Sequence, residues 1–307
     1  MEKDKTSFKY IKTIGYYDGD ITCLDIFPSG EFISISRKGI VFIWKDLNVI
    51  KTYEIQGNGN YVVGIKDNEN LIIVSENKEG FLWKKEKVNG DFKVMNEINL
   101  NMHNSKIRNA FYHEGIYIIC SDDLITFWEE YKKNGQLNYQ IQLRIEEEKD
   151  FYSTLLIKNK NLFITGGKLG LKLWNMNNLS LINKTKEEKE MLKSIHCKSS
   201  ALLKVFDENS IIVGVPNQKL CIIDLLTLKK KDINITFDCS AICVLNDLFF
   251  VSSDIQLHIY DKKSFNNISS IQNASMTKEI NDIKEIKKNT LALYAYSGYI
   301  RLFSNQI

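Results

Sequence analysis

An all-β fold built from seven copies of one four-stranded unit is predicted by three observations on this 307-residue chain. First, segments that close on a large apolar residue recur along the whole sequence. They are ISISRKGIVFIW (33–44), IIVSENKEGFLW (72–83), IICSDDLITFW (118–128) and ITGGKLGLKLW (164–174), followed by VGVPNQKLCII (213–223), VSSDIQLHIY (251–260) and YAYSGYIRLF (294–303). Their closing residues, Trp44, Trp83, Trp128, Trp174, Ile223, Tyr260 and Phe303, lie 39, 45, 46, 49, 37 and 43 residues apart. Second, each copy repeats one internal order: a short apolar run, a polar or Gly-containing turn, then an alternating run. Third, runs such as IVFIW and LITFW are β-branched and aromatic, which favours strands over helices.

Within each unit the strands follow in order. The first is the run upstream of the repeat: ITCLDIF (21–27), KIRNAFY (106–112), STLLIK (153–158), AICVL (241–245) and INDIKEI (280–286). The second and third are the two halves of the repeat itself. The fourth follows a turn-rich stretch. Asn89-Gly90 and Asn134-Gly135 are hairpin signals in two copies. NMNN (175–178) and KKSFNN (262–267) predict looser turns in two others. Four antiparallel strands every 40–45 residues is the pattern of a β-propeller blade, so seven copies predict seven blades in one domain over residues 1–307. The last unit stops at its third strand. The alternating run FKYIKTI (8–14) precedes the first unit, and it is expected to supply the missing fourth strand and close the ring. One helix is expected at 184–197, where Met191, Leu192 and Ile195 share a face in the longest gap between repeats.

The repeat resembles the WD-repeat family over nearly the full length, although the Trp-Asp dipeptide is never intact. Trp44 is followed by Lys45, Trp128 by Glu129 and Trp174 by Asn175, while Asp224 and Asp261 keep the acid after Ile223 and Tyr260. The resemblance implies a structural hydrogen-bonded network in the third unit, made by His103 before the first strand, Asp122 in the turn before the third strand and Trp128 on that strand. Ser121 or Cys120 would supply the second-strand partner. A catalytic His–Asp pair is the competing reading of the same residues. The other units lack the full set and are expected to rely on apolar packing. The resemblance also implies a non-enzymatic platform for protein assembly, a subunit or adaptor of a larger complex.

The remaining sequence features narrow the function classes. Lys and Arg number 41 against 38 Asp and Glu, a net charge of +3, and only Arg37, Arg108, Arg144 and Arg301 are Arg. Near-balanced charge and scarce Arg argue against broad nucleic-acid contact, so a ribosome- or RNA-associated propeller stands as the alternative. MEKDKTSFK carries no apolar signal core, and no apolar run reaches the length of a membrane span. An intracellular chain, cytoplasmic or nuclear, with six reduced Cys is expected. No His, Cys or acid cluster has metal-ligand spacing, and GNGN (57–60) and GGKLG (166–170) lead into no phosphate-binding helix, so no metal and no cofactor is expected. Lys229, Lys230 and Lys231 read as a solvated rim beside Asp232. An enzyme with a site in the central channel would require acids or His to converge there. Partner contact is expected on the face formed by the loops into the first strands and the turns after the second strands. Its candidate residues are Tyr16, Tyr17, Arg37, Tyr61, Phe151 and Tyr152, because Tyr and Arg concentrate interface energy. A monomeric propeller held within a hetero-complex is the expected state.

Overall fold

A computed structural model describes residues 7–15, 19–57, 59–133, 136–146, 153–167, 170–177, 180–181, 203–215, 219–275 and 279–305. The expected helix at 184–197 and the Asn134-Gly135 turn lie outside the described residues. Among the described residues the strands form seven four-stranded antiparallel sheets and no α-helix.

Blade one comprises β2 (Ile21–Ile26), β3 (Phe32–Ser36), β4 (Ile40–Lys45) and β5 (Asn48–Glu54). Blade two comprises β6 (Tyr61–Ile65), β7 (Asn70–Ser75), β8 (Glu79–Lys85) and β9 (Phe92–Asn99). Blade three comprises β10 (Ile107–His113), β11 (Ile116–Ser121), β12 (Leu124–Lys133) and β13 (Gln136–Glu146). Blade four comprises β14 (Ser153–Ile157), β15 (Leu162–Gly167), β16 (Gly170–Asn175) and the short β17 (Ser180–Leu181). Blade five comprises β18 (Leu203–Val205), β19 (Ser210–Val215), β20 (Lys219–Asp224) and β21 (Lys230–Asn234). Blade six comprises β22 (Ala241–Leu245), β23 (Leu248–Ser253), β24 (Gln256–Asp261) and β25 (Asn267–Ile271). Blade seven comprises β26 (Ile280–Lys287), β27 (Thr290–Ala295) and β28 (Ile300–Ser304), and β1 (Lys9–Ile14) is its fourth strand. All seven closing residues of the sequence repeat sit on third strands. The first strands β6 and β18, at Tyr61–Ile65 and Leu203–Val205, complete the set that the sequence pattern located in five units.

Burial explains the sequence pattern strand by strand. Every residue of β3 and β27 is buried, because an interior strand is covered by neighbouring blades on both faces. The outer strand β5 is mostly exposed and carries Lys, Thr and Glu. The hydrophobic clusters fall between blades rather than within them. Ile33, Ile35, Val41 and Ile43 of blade one pack on Tyr61, Val63, Leu71, Ile73 and Trp83 of blade two. Ile14, Ala292 and Leu302 of blade seven pack on Ile21, Leu24, Phe32 and Trp44 of blade one.

The third-to-fourth-strand turns show local chemistry at work. The β8–β9 connection spans residues 86–91, longer than a two-residue hairpin, and places Gly90 at φ +70° with its N–H on the Glu86 carbonyl at 3.0 Å. In blades five and six, Asp224 and Asp261 fold the turn directly. Asp224 Oδ1 accepts from the Thr227 N–H at 2.7 Å and its hydroxyl at 2.8 Å, and Asp261 Oδ1 takes both bonds from Ser264 at 2.7 Å. These bonds hold both carboxyls below the usual carboxylate range.

Five outer strands break register at the same place. The third-strand steps Ile43/Trp44, Leu82/Trp83, Phe127/Trp128, Ile259/Tyr260 and Leu302/Phe303 each face one extra residue: Ile50, Met95, Gln142, Ile268 and Ile11. A bulge on each outer strand raises the local twist and interrupts the free edge, which guards against strand addition by another chain.

The closing strand β1 pairs antiparallel with β28 through Lys9↔Ser304, Tyr10↔Phe303 and, past the bulge, Lys12↔Leu302 to Ile14↔Ile300. Phe8 is buried against Phe250 of blade six at 4.9 Å between ring centroids, and Ile14 is buried between blades seven and one. The Arg301 guanidinium lies over Tyr10 at 4.6 Å and donates to the carbonyls of Asn273 and Ala274, locking the clasp from outside. Deletion of residues 1–14 is expected to remove these strand bonds, worth about 1 kcal/mol each, and the burial of Phe8 and Ile14, worth roughly 1.5–3 kcal/mol each. Against a total of about 5–15 kcal/mol, the truncated chain should melt far earlier or elute as aggregate. Thermal unfolding and size-exclusion chromatography of both forms measure this; an unchanged midpoint and a monomeric peak would refute the clasp.

Candidate functional site

The blade-three cluster is assembled from a loop and two strands. His103 is fully buried, with Nδ1 at 2.8 Å from Ser121 Oγ and Nε2 at 3.0 Å from Thr126 Oγ1. Trp128 Nε1 donates to the same Thr126 oxygen at 2.9 Å. The structure brings His103 and Trp128 together through Thr126, a residue that sequence reasoning did not single out.

Asp122 is not part of this cluster, which corrects the sequence expectation. It turns the other way and takes a two-pronged bond from Arg108, at 2.6 Å from Nε and 2.9 Å from Nη2. Asp123 occupies the place instead. It accepts from Ser121 Oγ at 2.7 Å, Ser105 Oγ at 2.5 Å and the Asn104 N–H at 3.1 Å. The β11–β12 turn holds only these two acids, so their side chains point to opposite sides. The one beside Arg108 finds an ion pair, and the other finds the hydroxyls. Burial pushes the Asp123 carboxyl up, but the Ser105, Ser121 and Asn104 bonds outweigh it and hold the group below its ordinary value. Burial lowers the His103 imidazole to about 4, leaving it neutral at pH 7 with both nitrogens engaged.

The other tryptophans show which residue serves the indole. Trp44 Nε1 donates to Ser34 Oγ at 2.7 Å, and Trp174 Nε1 to Thr165 Oγ1 at 3.1 Å. Both acceptors lie on the second strand, two residues beyond the one opposite the Trp. In blade two that position is Ile73, and Trp83 Nε1 is buried without a hydrogen-bond partner. In blade three it is Ile119, and Thr126 on the third strand takes over. The sequence signal, Ser or Thr nine to ten residues before Trp, is present in ISISRKGIVFIW and ITGGKLGLKLW.

First strands from six blades line a central channel of about 440 Å³. Four of its charged residues are paired between blades. Lys284 Nζ of blade seven meets Asp25 Oδ1 of blade one at 2.8 Å, and Lys204 Nζ of blade five meets Asp282 Oδ1 of blade seven at 3.0 Å. The second pair spans past β22, where Cys243 feels both charges. Lys66 of blade two meets Glu130 of blade three at 2.5 Å, and Asn109 donates to Thr154 Oγ1 between blades three and four at 2.8 Å. Neither lining carboxylate, Asp25 or Asp282, is left as a spare proton acceptor, and no His lines the channel among the described residues. Burial pushes the thiols of Cys23, Cys221 and Cys243 up to about 12, away from nucleophilic thiolates. Among the described residues no group of three or more His, Cys, Asp or Glu is placed to hold a metal ion.

The upper face consists of the loops into first strands and the turns after second strands. Arg37 is exposed there; its Nη2 donates to Asn60 Oδ1 at 3.2 Å, and Asn60 Nδ2 donates to Glu76 Oε2 at 2.8 Å. Tyr61 is not on this surface, which corrects a second expectation. It is the first residue of β6, 1% exposed, with its ring in the blade one–two core and its hydroxyl on the Gly57 carbonyl at 3.2 Å. Tyr16, Tyr17, Phe151 and Tyr152 lie outside the described residues. A further site emerges on the lower face, where first-to-second-strand turns of neighbouring blades touch. Ser29 N–H donates to Asn68 Oδ1 at 2.7 Å, His113 Nε2 lies 2.9 Å from Asn161 Oδ1, Lys160 Nζ donates to Asn209 Oδ1 at 3.0 Å, and Asn246 Nδ2 to Asn289 Oδ1 at 3.0 Å. The Asn-rich turns carried this signal, hidden by the general abundance of Asn.

No family model and no curated protein matches the sequence. Solved structures do. The β-propeller domain of Cps50 (Swd1) from Myceliophteria thermophila is similar over 97% of this chain and 99% of that chain, with 12% identity and a TM-score of 0.74. The WD40 β-propeller domain of Doa1 is similar over 97% of each chain, with 18% identity and a TM-score of 0.70. The chain has the fold of these WD40 propellers.

Two outcomes follow from this geometry. His103 titrates near 4 when folded and near 6.5 when unfolded, so between those values the unfolded chain binds the proton first. Its contribution is complete above pH 6.5 and is lost as pH falls toward 4, on the order of 3 kcal/mol. Urea midpoints at pH 7.5 and pH 4.5 should therefore differ more for the native chain than for H103Q; equal pH slopes would refute the assignment. For the indoles, W44F should cost about 1 kcal/mol more than W83F by urea unfolding, because only Trp44 loses an indole hydrogen bond. Equal losses would contradict the unpartnered state of Trp83.

Proposed function

We propose that this chain is a non-enzymatic protein–protein interaction scaffold, a subunit or adaptor of a larger intracellular complex, cytoplasmic or nuclear. The observation that carries the reading is the state of the channel. The polar groups where a propeller enzyme would assemble its acids and bases are spent on holding blades together: Asp25 on Lys284, Asp282 on Lys204, and Lys66 on Glu130 of the next blade's third strand. His103, the most suggestive catalytic residue of the sequence, is buried and doubly bonded to hydroxyls, with no open approach for a substrate. The likeness in fold to the Swd1 and Doa1 propellers supports the same reading. No helix among the described residues is long and apolar enough to cross a membrane. What remains for function is the rigid surface, and its upper face combines the anchored Arg37 with Tyr296, which follows β27 and is 42% exposed.

The ribosome- or RNA-associated alternative is judged by the same experiment. The tagged chain is purified from its native cell with a lysine-reactive cross-linker, with and without RNase. A protein partner joined through upper-face Lys38, Lys78 or Lys106, and insensitive to RNase, is the expected result. Partners lost on RNase treatment would replace the scaffold with the RNA reading. A purified chain that turns over a substrate in the channel, with loss in D25N or D282N, would establish an enzyme.

A further inference from the structure

We infer that the upper face around Arg37 and Tyr296 binds an acidic segment of a partner protein, one of whose side-chain carboxylates pairs with the Arg37 guanidinium. The inference rests on the scaffold reading and names the chemistry of the partner.

The use of Arg in this chain points there. Only four of 41 basic residues are Arg, and all four sit toward the upper face: Arg37 in the turn after β3, Arg108 second in β10, Arg144 near the end of β13 and Arg301 second in β28. Where Lys is the default cation, an Arg marks a position that needs the planar fork. Two of the four spend that fork internally. Arg108 takes both oxygens of Asp122, and Arg301 clamps the Asn273 and Ala274 carbonyls over Tyr10. Arg37 is exposed and, among the described residues, spends one Nη on Asn60, which leaves its other N–H groups for an external acceptor.

Its position is fixed before any ligand arrives. The Arg37 N–H donates to the Asp20 carbonyl at 2.7 Å, and its own carbonyl accepts from the Gly59 N–H at 2.8 Å. The side chain is steadied by Asn60, itself held by Glu76. The guanidinium carbon lies 5.8 Å from the centre of the Tyr296 ring, which is 42% exposed. The Tyr296 turn is in turn tied to blade one by the Ile21 N–H on the Ser297 carbonyl at 3.3 Å. An aromatic ring beside a pre-positioned fork costs little ordering when bound. The surroundings select the anion. Asp20, Glu76, Asp122 and Asp123 are interspersed with the Arg and Lys residues of this face, so its charge is mixed and it lacks the continuous positive field that a nucleic acid or lipid surface requires. A single carboxylate flanked by an apolar or aromatic residue fits one fork and one ring.

Random peptides displayed on phage are selected on the full chain, and enriched peptides are labelled and titrated by fluorescence anisotropy. Enrichment in Asp and Glu is expected, with binding weakened about tenfold or more in R37A and in R37K, and weakened also in Y296A. K87A, on an exposed turn of the lower face, should leave it unchanged, and the R37K melting temperature should match the native chain. Acid-rich peptides that bind R37A within about twofold, or R37K at full strength, overturn this site and leave the scaffold reading standing. Arg37-dependent capture of single-stranded RNA or phosphatidylserine vesicles in place of peptides overturns the choice of ligand. Recovery of no peptide, together with no cross-linked protein partner, overturns both readings.

Discussion

Each sheet is apolar on both faces, so a blade can bury itself only between two neighbours. That constraint makes closure of the ring the condition for everything else. Six of the seven seams form between blades that follow each other in the chain. The seventh joins blade seven to blade one, and blade seven is itself incomplete until β1 pairs with β28. The same short strand thus supplies backbone partners to one blade and buries Ile14 against the core of the next. Contacts between the two chain ends are favourable only after the intervening units have assembled, so the clasp couples the stability of all seven blades into one event.

Two polar systems reinforce the apolar seams at different radii. At the axis, first strands exchange charges between blades, as in Lys284–Asp25 and Lys204–Asp282. On the lower face, Asn-bearing turns bond to the turn of the next blade. Both use groups that an isolated blade would leave in water, so they favour correct neighbours over merely compact ones. At the outer wall, the repeated bulge opposite the third-strand anchor does the reverse and discourages pairing. Ile11, Ile50 and Ile268 are about two-fifths exposed because the bulge turns them outward.

The blade-three network shows why degenerate repeats remain folded. A buried indole N–H needs an acceptor, and three of the four tryptophans find one by two routes: Ser34 and Thr165 on the second strand, and Thr126 on the third. Trp83 has none, because Ile73 stands where the hydroxyl would be. The blade keeps its register through packing of Trp83 on Tyr53 and Phe92, whose rings lie 5.2 and 6.5 Å away. Apolar shape therefore carries the repeat, and the hydrogen bonds refine it.

The period of the apolar residues determined the fold by itself. Seven anchors at a spacing near 43 residues, with turns between alternating runs, admit one closed arrangement of four-stranded units, and the orphan run at 8–14 had one free edge to join. Periodicity is a local property, so one sequence suffices to read it. The functional details were decided in three dimensions. Nothing in the letters distinguishes Asp122 from Asp123; the position of Arg108 on the adjoining strand does. Tyr61 reads as a surface aromatic until β6 turns it into the seam behind blade one. Arg37 and Tyr296 are 259 residues apart and become neighbours only because the ring closes, which is why the pair has no signature in the sequence.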